Sequence, residues 1–133
     1  MAKKKYIPID VYKRCIYIFI GSLSEFQIWT EEHFTDESER EFVKMVQDLT
    51  ESRVGMASFN FDYVNGVGVV LIPEYPHTPK EYAALAHELM HATFFIMNFC
   101  RCEYAYDGSN ESFTYLMEHL MRNALEGEGY ETI

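Results

Sequence analysis

Residues 15–20 form an unbroken apolar run, Cys15-Ile16-Tyr17-Ile18-Phe19-Ile20, rich in β-branched and aromatic side chains. Together with the residues just before it, the run predicts a first strand over 11–20, ended by Gly21-Ser22. Residues 23–34 are hard to assign from the sequence. Helical spacing resumes with Phe42, Val43, Met45, Val46 and Leu49, while Glu37, Glu39, Arg40, Glu41, Lys44 and Asp48 supply a wet face. A helix is therefore expected from Thr35 or Asp36, either of which can cap it, to about Ser52. Residues 56–63 alternate around Phe59, Phe61 and Tyr63, which suggests a second strand. Asn65-Gly66 is a hairpin turn signal. A third strand over 67–72, antiparallel to the second, is closed off by Pro73 and Pro76. Thr78-Pro79-Lys80-Glu81 combines a capping residue, a proline suited to the first helical position and a reciprocal glutamate. The helix it starts should run to about Asn98. Residues 99–109 read as a loop with Asp107-Gly108 as its turn. A last helix over about 110–125 should bury Phe113, Leu116, Met117, Leu120 and Met121. The order β-α-β-β-α-α describes an α+β domain with a small, mostly antiparallel sheet.

A chain of 133 residues suffices for one domain. Residues 1–7 and 127–133 are expected to be flexible. A hydrophobic fraction of 48%, with ten Phe and ten Tyr, supports a real core. The net charge of −10 repels phosphate backbones and argues against nucleic-acid binding. Lys3-Lys4-Lys5 is the one basic cluster, read as a frayed, solvated terminus. Followed by the apolar run, it loosely mimics a secretion signal, but Asp10, Lys13 and Arg14 interrupt it and no small-x-small cleavage site follows. The run is also far short of the ~20 residues that span a bilayer, so no membrane partner is expected. Three cysteines, Cys15, Cys100 and Cys102, do not make a disulfide scaffold, and a reducing, cytoplasmic location is expected. Cys100-x-Cys102 alone is a weak metal signal.

The chemistry centres on His87-Glu88-Leu89-Met90-His91. Residues four apart on a helix share a face, so both imidazoles can converge on one cation, at about 2.0–2.1 Å per Zn–N bond. Glu88 then hangs beside the metal, where a base must be to take a proton from water. The helix is apolar on nearly all sides, so the histidines are expected to be at least partly buried. His33 and His77 are expected to face solvent. Catalytic zinc usually keeps three protein ligands and one open position. Glu111, twenty residues after His91 at the start of the next helix, is a suitable third, although a carboxylate there also suits the helix dipole. His119 or Asp107 would be next in line.

The pairing of His87-Glu88-x-x-His91 with Asn110-Glu111 resembles the gluzincin branch of zinc metallopeptidases, which includes thermolysin and the neutral aminopeptidases. The chain also resembles small metallopeptidase-like proteins encoded by phages and prophages. The resemblance covers residues 66–120 or so. It implies a minimal zincin-like domain, Zn²⁺ as cofactor and a peptide or protein substrate. It also implies that the strand holding Val67, Gly68, Val69 and Val70 is the sheet edge on which an extended substrate pairs. Two features depart from the family. Where thermolysin-like enzymes carry an acidic residue four positions after the third ligand, this chain has Tyr115. Only 22 residues follow Glu111, so the downstream domain that supplies an oxyanion-stabilising Tyr or His in larger members is not expected within these residues. Tyr115, His119, Tyr104 and Tyr106 are the candidates for that role or for supporting the ligands, each also readable as a packing or surface residue. A protein partner completing the site is a further expectation. Zinc-dependent peptide hydrolysis is thus the leading expectation. The rivals are a non-catalytic zinc-binding interaction module, which would have no use for Glu88, and an interaction protein without metal.

Overall fold

The strands of this chain carry two apolar faces. In β2 (Arg14–Ile20), Ile16 and Ile18 point one way and Phe19 the other. In β4 (Val67–Ile72), Val70 and Ile72 join the first side, and Val69 and Leu71 the second. A sheet apolar on both faces must be covered on both. The structure, a computed structural model, describes residues 2–50, 56–105 and 110–133. It is an α+β fold in which one five-stranded mixed sheet lies between two helical layers.

The strand order is β3 (Ser58–Asp62), β4, β2, β1 (Lys3–Ile9), β5 (Glu131–Thr132). All neighbours are antiparallel except β2 and β4, which run parallel from Cys15 opposite Val67 to Ile20 opposite Ile72. One face is covered by α3 (Pro79–Phe99) and α4 (Glu111–Leu125), through Leu85, Leu89, Ala92, Ile96, Leu116 and Leu120. The other is covered by α1 (Leu23–His33) and α2 (Arg40–Gln47), through Phe26, Trp29, Phe42 and Val46. Among the described residues no helix is long and apolar enough to cross a membrane.

The element order thus differs from the sequence expectation at several points. The N-terminal segment expected to fray is β1, paired along its whole length with β2. Lys5, Ile7 and Ile9 point inward, and the Lys5 ammonium donates to the carbonyls of Asn123 and, at 3.0 Å, Glu126. A cation at the carbonyl end of α4 meets both its orphan acceptors and its dipole. Residues 11–13, expected in the first strand, instead belong with Asp10 to the β1–β2 turn, with Lys13 in the left-handed region at φ 52°. The ambiguous residues 23–34 hold α1, started by a reciprocal Ser22–Glu25 cap. The helix expected from Thr35 or Asp36 begins as a 3-10 turn, Glu37–Glu39, capped by Asp36, and α2 ends at Gln47. Its expected end at Ser52 lies outside the described residues. At the C-terminus, β5 joins β1, where a flexible tail was expected.

The β3–β4 hairpin forms as Asn65-Gly66 suggests. Asp62 accepts from the backbone N–H of Val64 and Asn65, and Gly66 sits at φ 68°. A Cβ at Gly66 would stand 2.5 Å from the Phe99 ring, so the turn requires glycine for both backbone and space. The hairpin corrects the edge assignment: Val67, Gly68, Val69 and Val70 are hydrogen-bonded to β2 on one side and β3 on the other. Their unbroken apolar character is that of an interior strand buried on both faces. The edge strand on this side of the sheet is β3.

Candidate metal centre

Helix α3 begins as its sequence predicts. The Thr78 side chain accepts from the Glu81 N–H, the Glu81 carboxylate accepts from the Thr78 N–H at 3.0 Å, and Pro79 occupies the first helical position. Leu85, Leu89, Ala92 and Ile96 then recur at three- and four-residue steps and fasten one face to the sheet. At about 100° per residue, His87 and His91 fall on the opposite face. Both imidazoles are consequently exposed, a correction to the expectation of partial burial. An apolar helix does not bury its whole circumference when one side has no layer above it.

His87 Nε2 and His91 Nε2 lie 3.2 Å apart, with ring centroids separated by 4.8 Å and planes at 82°. Two nitrogens each about 2.05 Å from a tetrahedral cation stand roughly 3.3 Å apart. The pair therefore has the spacing of two ligands of one zinc ion, and equally that of one N–H shared between neutral rings. Glu88, half-buried, borders the same hollow, a cavity of about 310 Å³ between α3 and β3 lined by Ser58, Phe59, His87, Glu88, His91 and Phe95. Phe95 packs on Phe59 and Phe61, each at 5.4 Å between ring centres. On the opposite flank Phe94 meets Phe113 at 5.4 Å and Tyr104 at 5.9 Å. The histidines thus sit on a ridge between two aromatic contacts, one made to β3 and the other to α4.

Glu111 is not brought to this pair. Among the described residues, no group of three or more His, Cys, Asp or Glu is placed to hold a metal ion. The packed side of α4 is set by Phe113, Leu116, Leu120 and Ala124. Glu111 precedes Phe113 by two residues, so it falls about 160° round the helix from it, and it is exposed. Tyr115 and His119 border a different cavity, of about 460 Å³, against residues 8–12. His119 Nε2 donates to the Pro8 carbonyl at 2.8 Å, tying α4 to β1. Tyr104 packs on Phe94 and Phe113. Tyr106 and Asp107 lie outside the described residues.

Cys100 and Cys102 belong to the end of α3, where Cys102 N–H bonds the Met97 carbonyl at 2.9 Å and Arg101 is left-handed at φ 59°. This is a helix-terminating motif. His77 faces solvent as expected. His33 is exposed too, yet it stacks on Trp29 at 4.9 Å and its Nε2 lies 3.2 Å from Tyr17 Oη. Burial, and then Lys4 nearby, holds its pKa below the ordinary 6.5.

Sequence reasoning missed Ser58 and Phe59 as neighbours of the histidines, because it put the next strand on that edge. The Phe59–Phe61 alternation carried the signal, since both rings had to face the aromatic side of α3. Gly68 completes the arrangement: a Cβ there would stand 2.7 Å from the Phe59 ring, so the glycine sets how deep that wall can lie. Comparison with known protein families, with curated proteins and with solved structures returns no match.

Proposed function

We propose that the chain is a zinc-dependent peptidase of the gluzincin type, a hydrolase on a minimal zincin-like domain, as its resemblance to the phage-encoded proteins implies. The observation that carries the reading is the 3.2 Å separation of His87 and His91 Nε2, with Glu88 on the wall of the same hollow. Zinc held by these imidazoles would supply Lewis acidity, polarising the scissile carbonyl and bringing the pKa of water to about 7. Glu88 takes the proton of the attacking water and hands it to the leaving amine. The substrate strand pairs with β3: among the described residues no strand pairs with its outer side, so its free N–H and C=O groups can hold an extended peptide.

Glu111 remains our third ligand. Reaching the pair requires the first turn of α4 to rewind. Metal binding is coupled to folding in small metal sites, so binding of zinc can drive a local rearrangement of this kind. All three cysteines are unpaired, which supports a reducing, cytoplasmic setting. The exposure of both imidazoles and the outward turn of Glu111 favour one rival, a non-catalytic zinc-binding interaction module completed by a partner.

Untagged protein is expected to carry about one zinc per chain by elemental analysis. Glu88→Gln keeps that zinc and lowers peptide hydrolysis by roughly 10²–10⁴-fold. Zinc-loaded wild type that leaves a diverse peptide library intact would establish the interaction module instead.

A further inference from the structure

The outer edge of β1 is only partly used. β5 pairs with Lys3 and Lys4, and among the described residues no strand continues along that edge beyond them. Strand addition there is blocked. Pro8 has no N–H to offer, and its carbonyl already accepts from His119 Nε2 at 2.8 Å. That bond holds α4 beside the end of β1. Between them lies the cavity of about 460 Å³, walled by residues 8–12 and, on α4, by Ser112, Tyr115, Leu116 and His119. What this edge offers is a hollow for a side chain rather than a ladder for a strand.

The walls combine three chemistries. Ile9 and Leu116, both buried, form an apolar floor. Tyr12 and Tyr115 contribute phenol rings. Asp10 brings a carboxylate to the rim. Lys13 and Arg14 share a separate hollow with Asp10, and neither forms an ion pair with it. The single ion pair among the described residues, Arg40 with Glu37, stands at the start of α2. Glu111 and Glu118, exposed on α4 about one turn to either side of Tyr115, add unpaired charge of the same sign. A chain of net charge −10 thus leaves its carboxylates here without a cation.

An arginine side chain answers each part. Its stem lies along aliphatic surface while the charged head stays at the rim. The guanidinium stacks over an aromatic face and forks onto a carboxylate. Lysine supplies the charge without the plane or the fork. Val11 and Tyr115, at the mouth, are 87% and 65% exposed, so a free amino acid would leave them bare, whereas the residues flanking an arginine in a chain would cover them.

We propose that this groove docks an arginine side chain of a partner polypeptide, with Asp10 pairing the guanidinium and Tyr115 stacking on it. The inference is independent of the peptidase reading.

The test is a titration of the isotope-labelled full chain, followed by amide NMR. The probes are pooled pentapeptides with a central arginine between apolar residues, the same pool with citrulline or lysine in its place, and free arginine. The arginine pool should shift the amides of residues 9–12 and 112–119 saturably. The other three probes should bind about tenfold more weakly, because each lacks the charge, the fork or the flanking contacts. Asp10→Asn should weaken the arginine pool by about tenfold, the loss expected for a hydrogen bond to a charged group, and Tyr115→Ala by about 2–30-fold. Glu31→Gln, which removes the same charge from α1 on the other face of the sheet, should leave binding unchanged. The amide spectrum of each variant shows that it is folded. No saturable shift from the arginine pool would overturn the proposal. So would shifts centred on His87 and β3, equal binding of any of the other probes, or a loss in Glu31→Gln equal to that in Asp10→Asn.

Discussion

The His87–His91 pair gains its meaning from what lies opposite it on α3. Leu89 and Ala92 hold the helix to the sheet and so turn both imidazoles outward, one turn apart, with their Nε2 atoms 3.2 Å from each other. At this scale the spacing of the five-residue motif was fully legible, because helical geometry alone places residues four apart on one face. Their exposure was not, because it depends on which side of α3 the second layer covers. Glu111 is the residue on which the reading is most exposed to refutation. Losing a carboxylate that only favours the helix dipole costs roughly 0.3–1 kcal/mol and leaves metal affinity alone. Losing a zinc ligand weakens affinity by more than the roughly 10–100-fold typical of supporting residues. Glu111→Ala should therefore surrender zinc to a mild chelator, while Glu103→Ala, Glu118→Ala and Glu126→Ala should not. Competition titrations across the four variants decide it, and wild-type affinity in Glu111→Ala would remove that residue from the ligand set.

Among the elements, β1 was hidden by its own lysines. Lys3-Lys4-Lys5 looks like a solvated end until Lys5, Ile7 and Ile9 are seen to share one face, with the ammonium acting as a cap on α4. A charged residue that serves as a tertiary cap breaks the hydrophobic pattern by which strands are recognised. Helix α1 was obscured differently: Leu23, Phe26, Trp29 and Thr30 are buried, yet Ile28 is exposed and a polar threonine stands inside. Helix α3, by contrast, carries cap, proline and apolar stripe together, and its start falls where the sequence puts it. The role of Lys5 can be measured. Lys5→Met keeps the stem but leaves the carbonyls of Asn123 and Glu126 without their charged donor. Hydrogen bonds to charged groups contribute about 1.5–3 kcal/mol, and a loss of that size should appear in the urea unfolding midpoint. A midpoint unchanged from wild type would show that the carbonyls are satisfied by water.

For the whole molecule, the decisive fact is a sheet covered on both faces, and it explains why β4 is interior. One apolar strand cannot announce whether it has one neighbour or two; that information lies in β1 and β2, far away in sequence. The second layer also gives the fold its pH response. Partial burial of the exposed His33 ring against Trp29 and Tyr17, and then Lys4 nearby, lowers its pKa below 6.5. The unfolded chain then binds a proton more readily, so stability is full above pH 6.5 and declines as pH falls through the lowered folded value. Glu25, Asp36 and Glu81 respond further down. Each is held below its ordinary value, 4.5, 3.8 and 4.5 respectively, chiefly by the backbone N–H of Ser22, Ser38 and His77. The stability these caps contribute is present above the ordinary values and is lost as pH falls through the depressed ones. Urea midpoints from pH 8 to 3 should fall in two stages, and His33→Gln should remove the upper one. Equal slopes for wild type and variant between pH 7 and 5 would assign that stage to other groups.

The exposure of His87 and His91 has a consequence for which ion the pair would take up. Among the described residues no third His, Cys, Asp or Glu is placed to hold a metal with the pair, so for a metal held by the two imidazoles alone intrinsic preference among first-row metals would decide, and imidazole pairs hold copper(II) more tightly than zinc. The occupant of freshly isolated protein would then record the metal supply of the cells that made it. Until Glu111 closes on the pair, selectivity for zinc would be a property of the surroundings rather than of the chain.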